Sequence, residues 1–99
     1  MDVRDSEGRV LTLRRLTALD RLRLYKAIGA VLAENAPYLG MALLAISVTA
    51  IDGVPVPLPG SEGQLEGILQ RLGDTGIEAV AAALEANDAA PLSETDAGN

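Results

Sequence analysis

Asp52-Gly53 interrupts the most apolar stretch of this chain, ALLAISVTAIDGVPVPLP over residues 42–59. A two-residue hairpin turn whose twist matches its strands needs positive φ at both central positions, and Asp and Gly tolerate that at the least cost. The pair therefore predicts a β-hairpin in the middle of the chain, with its first strand over 47–51. Beyond the turn, apolar residues alternate with Pro55, Pro57 and Pro59. Proline cannot donate to a ladder, so this arm belongs at a sheet edge or lies extended on the domain.

The flanking segments read as helices and one more hairpin. Asp5-Ser6-Glu7-Gly8 has turn chemistry and the next run, Arg9 to Arg14, is strand-like, predicting a short hairpin over 1–16 with a strand at 9–14. Thr17-Ala18-Leu19-Asp20 resembles a capping box and opens a helix over 18–33. Two neighbouring apolar stripes, one through Leu19, Leu22 and Leu32, the other through Leu24, Ala27, Ile28 and Val31, suggest a helix covered on more than one side, with Arg21, Arg23 and Lys26 outside. Pro37 stops this helix, and Asn35 is placed to cap a second one over 37–46. Its handover to the strand, near 46–51, stays open because a continuous apolar run has no diagnostic period.

In the C-terminal third, Ser61-Glu62-Gly63-Gln64 and Thr75-Gly76-Ile77-Glu78 are both capping-box patterns, and each precedes an apolar repeat at helical spacing. Gly73 sits where a left-handed cap would end the first helix. Two short amphipathic helices so closely joined are expected to form an αα-hairpin. The resulting expectation is an α+β, mainly α-helical fold of about four helices with one or two short β-hairpins. One compact domain is expected over 1–87, followed by an acidic disordered tail over 88–99.

Composition limits the chemistry. The 99 residues include no Cys and no His, which removes disulfides, thiolate chemistry, Cys/His zinc sites and the commonest general base. The acidic residues sit mostly at caps, turns and helix starts, where they satisfy orphan amides. No catalytic constellation, metal site or cofactor is therefore expected, and the chain reads as a non-enzyme. The charged N-terminus lacks the apolar core of a signal peptide, so a cytoplasmic, non-secreted protein is expected. The uncharged run 35–51 is short for a membrane span and contains Asn35, Pro37, Ser47 and Thr49, so it is read as core.

The net charge of -6 is unevenly distributed: residues 1–40 hold seven of the eight basic residues against five acids, and residues 41–99 hold only Arg71 against nine. Such polarity disfavours general nucleic-acid binding and suits association through opposed patches. Arg14, Arg15, Arg21 and Arg23 are candidates for an electrostatic docking patch. The stripes Leu65, Ile68, Leu69, Leu72 and Ile77, Val80, Leu84 are either core alone or core plus an aliphatic groove for a partner helix.

The succession GRVLTLRRLTALDRLRLYKAIG, NAPYLGMALLA, SVTAIDGVPVPLP and QLEGILQRLGDTGIEAV resembles the small tail assembly chaperones of long-tailed phages and prophages, across roughly residues 8–84. The resemblance implies a non-enzymatic protein of the host cytoplasm that binds the long helical tape measure protein, keeps it soluble, and yields it to polymerising tail tube protein. It implies neither nucleic-acid nor membrane binding and leaves a homo-oligomer open. Two other classes stay in view. One is a head-tail or tail connector that forms a ring by itself. The other is a small DNA-binding regulator using the basic 14–26 segment.

Overall fold

A computed structural model describes residues 1–89. The chain runs β1 (Asp2–Arg4), β2 (Val10–Leu13), α1 (Ala18–Ala33), α2 (Ala36–Ile46), β3 (Val48–Ile51), β4 (Val54–Pro55) and α3 (Glu62–Ala89). The expected tail lies largely outside the described residues, and α3 continues through Ala89, past the anticipated domain end.

Both hairpins form, and they join. β1–β2 and β3–β4 are antiparallel pairs, and β2 pairs with β3, giving one four-stranded antiparallel sheet in the order β1-β2-β3-β4. The central turn has the expected geometry, with φ of 49° at Asp52 and 80° at Gly53. Its Asp has a second role: the Asp52 carboxylate accepts the Val10 N–H at 2.8 Å, while the Asp52 N–H donates to the Val10 carbonyl at 2.7 Å. The turn is thereby fastened to the neighbouring hairpin. Opposite Leu13 and Thr12, β3 carries one extra residue, Thr49, between Val48 and Ala50. Side chains alternate faces along a regular strand, so Val48 and Ile51 would point to opposite sides. The bulge changes the parity, and both are buried.

The helix N-termini follow the sequence closely. Thr17 Oγ1 accepts from Asp20 N–H at 3.1 Å and Asp20 returns the bond to Thr17 N–H at 2.9 Å, closing the capping box of α1. Asn35 Oδ1 accepts from Tyr38 N–H at 3.1 Å to start α2. The open boundary after α2 resolves at Ser47, which is buried: its hydroxyl donates to the Leu43 carbonyl, and its own carbonyl accepts Arg14 N–H. The helix thus ends and β3 begins within one residue.

The C-terminal expectation needs correction in part: the first helical arm does end at Gly73, but the count of elements and the second cap differ. Instead of four helices there are three, because residues 62–72 and 74–89 are arms of one kinked element with a single non-helical residue, Gly73 at φ 65° and ψ -177°, between them. Thr75, expected as an N-cap, is already helical, and its hydroxyl accepts from Arg9 instead. At the start of α3, Ser61 Oγ accepts from Gln64 N–H, but Gln64 reaches back to Gly60 N–H in place of Ser61 N–H.

The core joins one sheet face to all three helices through Leu11, Leu13, Leu24, Ile28, Ala42, Ala45, Ile46, Val48, Ile51, Leu65, Leu72 and Val80. It is wholly aliphatic, as the scarcity of aromatics requires. α2 is its central helix, packing against α1 on one side and α3 on the other. The run 35–51 supplies Ala42, Ala45, Ile46, Val48 and Ile51 to the core while its start, through Met41, is partly exposed, and among the described residues no helix is long and apolar enough to cross a membrane.

Candidate functional site

Two regions gather polar and exposed side chains. The first is a seam between the N-terminal hairpin and the kink of α3. Asp5 is buried at the turn, and its carboxylate accepts the N–H groups of Glu7 and Arg9 at 3.0 and 2.9 Å and the Arg9 guanidinium at 2.7 Å. The same guanidinium donates onward to the carbonyls of Arg71 at 2.8 Å and Leu72 at 2.6 Å. Those carbonyls end the first arm of α3, where the chain leaves helical geometry and intrahelical partners run out. Gly76 makes room for this approach, since a Cβ there would lie 3.0 Å from Leu72 Cβ and 3.3 Å from Arg9 Nη2. Burial pushes the Asp5 carboxyl up, but the bonds from Arg9 and Glu7 and the guanidinium charge outweigh it and hold the group below the ordinary carboxylate value. An open cleft of about 370 Å³ lies over the seam, lined by Glu7, Arg9, Arg71 and residues 72–75. Because Arg9 is fully engaged with the fold, this seam reads as a structural clamp.

The second region is the outer face of α1. Leu24 and Ile28 are buried, whereas Leu19 and Leu22 are 52% and 62% exposed. At about 100° per residue, Leu22 and Lys26 project roughly 160° away from Leu24, on the far side of the helix. The stripe through Leu19 and Leu22 is therefore surface and not the second covered side anticipated from the pattern. The reason is architectural: α1 lies at the periphery with α2 as its main neighbour, so only one side can be covered. Val31, a member of the other apolar stripe, is 84% exposed because Gly29, at φ 86° and ψ 165°, breaks the helix and rotates the residues beyond it.

Basic side chains surround these leucines. Arg15, Arg21, Arg23 and Lys26 are exposed, and the ion pairs among the described residues, Arg9 with Asp5 and Glu7 and Arg14 with Asp20, use none of them. Arg14 does not share the surface role expected of it: its Nε donates to the Ile46 carbonyl at 3.4 Å and its Nη1 lies 3.6 Å from Asp20. Asp20 is held below the ordinary carboxylate value by the Thr17 backbone N–H above all, with burial opposing and the Thr17 hydroxyl, Arg14 and Arg23 assisting.

The anticipated aliphatic groove is largely interior. Leu65, Ile68, Leu72 and Val80 are buried in the chain's own core, leaving Leu69, Ile77 and Leu84 half-buried at its margin. The sequence pattern marks Leu19 and Leu22 as apolar and points them inward; an (i, i+3) apolar pair interleaved with arginine is the signal in it for a surface role. Comparison with protein-family models, curated proteins and solved structures finds no match to this chain.

Proposed function

We propose that this chain is a tail assembly chaperone of a long-tailed phage or prophage, a non-enzymatic protein that binds a long helical tape measure protein and keeps it soluble during assembly. The observation that carries the reading is the outer face of α1, where exposed Leu19 and Leu22 lie among Arg15, Arg21, Arg23 and Lys26. An apolar pair ringed by cations suits an amphipathic helix with carboxylates beside its apolar stripe. Of the two segments that most resemble the family, the Ile51-Asp52-Gly53 turn and RRLTALDRLRL, the second builds most of this face. The body behind it carries net negative charge, which opposes aggregation of the complex.

The reading is tested by co-expression with the long helical protein encoded beside this chain, followed by pull-down and light scattering. A soluble complex formed from an otherwise insoluble partner, and lost in a Leu19→Gln/Leu22→Gln chain that stays folded, is the expected outcome. Absence of a complex, together with a fixed multi-subunit ring of this chain alone, favours the connector instead. The opposed charges of the two halves of the chain are what keep that second reading in view.

A further inference from the structure

We infer that α3 is a latched two-state element: Arg9 holds it kinked at Gly73, and release of that side chain converts residues 62–89 into one unbroken helix that carries the second arm out of the core. The first observation is the phase of the apolar positions. Leu65, Ile68, Leu72, Gly76 and Val80 are the buried positions of α3 among the described residues. At about 100° per residue they fall within about 120° of one another on a continuous helix, with half-buried Leu69 between them. Two arms that meet at a torsional break need no common phase, so this face is the face of a helix without one.

The second observation is that the features peculiar to the kink are few and local. Gly73 alone leaves helical geometry. Gly76 is drawn so close to Leu72 that a Cβ there would lie 3.0 Å from Leu72 Cβ, whereas Cβ atoms at i and i+4 of a regular helix stand about 5–6 Å apart. The kink thus requires glycine twice, and an unbroken helix requires it at neither position. Arg9 supplies the hold from outside, through its bonds to the carbonyls of Arg71 and Leu72, and is itself oriented by Asp5. In an unbroken helix the same carbonyls accept the N–H groups of Thr75 and Gly76, so departure of Arg9 strands neither acceptor. The open cleft beside Arg9 and Thr75 leaves the latch within reach of solvent. Burial sets the resting state: Val80 has no solvent exposure and Ile77 and Leu84 pack against the core, and straightening takes all three away from it. The latch therefore governs access to the apolar side chains of the second arm. This surface is separate from the outer face of α1, and the inference does not depend on the chaperone reading.

The test measures the separation of the two arms. The chain has no cysteine, so Glu62→Cys/Glu85→Cys puts one spin label at an exposed position of each arm. Pulsed dipolar spectroscopy then reads a spacing that is about 34 Å in an unbroken helix, at about 1.5 Å per residue, and shorter in a kinked one. With Arg9 in place the short spacing is expected. Arg9→Met removes the latch and raises the long component at least about tenfold. Gly73→Ala does the same by opposing the torsion, and Gly76→Ala by crowding Leu72. Arg9→Met/Gly73→Ala is mainly long, with no loss of helix by circular dichroism. A long spacing in the chain that keeps Arg9 and both glycines overturns the inference, as does a short spacing that persists in Arg9→Met and in both alanine chains. Chains that lose helix instead of lengthening also overturn it, because the kinked form is then the one folded form of α3. The co-expression test of the chaperone reading alters Leu19 and Leu22 and leaves α3 intact, so either reading can fail without the other.

Discussion

α1 and α3 use the same local device and put it to opposite use. Each is interrupted at one glycine, Gly29 or Gly73, in the positive-φ, extended-ψ region that is essentially closed to other residues. At Gly73 the kink is clamped from outside by Arg9, which ties the N-terminal hairpin to the carbonyls of Arg71 and Leu72 and to Thr75. After Gly29 the chain is held by the terminal bonds of its own helix, Glu34 N–H to the Val31 carbonyl and Asn35 N–H to that of Leu32. Both arms of α3 contribute fully buried residues, Leu65, Leu72 and Val80, whereas α1 exposes Leu19, Leu22 and Val31. A glycine break thus fixes two arms in a core when another element bridges it. Without such a bridge, as after Gly29, it leaves Val31 turned outward; Leu19 and Leu22 lie before the break and are exposed because α1 is peripheral.

The largest expected effect is in the core. Leu65→Ala or Leu72→Ala removes a side chain with no solvent exposure and should lower unfolding free energy by about 2–5 kcal/mol in urea titrations. Gly73→Ala comes next, at about 1–3 kcal/mol, because the clamp holds the residue in a conformation alanine resists. Gly29→Ala should cost distinctly less, since no side-chain hydrogen bond among the described residues bridges that kink and alanine favours helix by about 1 kcal/mol over glycine. Equal losses at the two glycines would break the comparison.

Acid sensitivity sharpens it further. Asp5 and Asp20 both titrate below their ordinary value of 3.8 in the folded chain. The unfolded chain therefore binds more protons than the folded one in this range. Their stabilisation is complete above the unfolded pKa and disappears as pH falls through the lowered folded values. Arg9→Met removes the guanidinium while leaving the burial that pushes Asp5 up, so acid unfolding followed by circular dichroism should begin at higher pH. The smallest effect is expected at Leu22→Gln, within about 0.5 kcal/mol of wild type, because that side chain is already in water. A loss as large as that at Leu65 would mean that α1 is as embedded as α3.

Much of this fold was legible because local chemistry decided it. Thr17 with Asp20, Asn35 with Tyr38, and the Asp52-Gly53 turn all act within a few residues, and each behaves as its pattern requires. Position in the tertiary arrangement was not legible. Whether Leu22 or Leu24 faces the core depends on how many neighbours α1 has, and an apolar repeat records only which residues share a side. Arg9 read as a strand residue, because its acceptors lie 62 and 63 positions away. The candidate site was therefore half visible. Arg15, Arg21 and Arg23 were placed outward correctly, while Arg14 and the stripe of Leu65, Ile68 and Leu72 proved to be occupied by the fold itself.

The fastening of Asp52 to Val10 also carries a kinetic consequence. These residues are 42 positions apart, and α1 and α2 lie wholly between them. Each hairpin and each helix can form from local contacts in microseconds or less, but the β2–β3 ladder must bring together ends separated by the whole intervening segment. The search for that closure is expected to set the folding rate, with helices formed early hastening it by shortening the distance to be searched. Asp52→Ala should accordingly slow refolding much more than it speeds unfolding. The opposite partition in stopped-flow kinetics would show that the two hairpins unite only after the rate-limiting step.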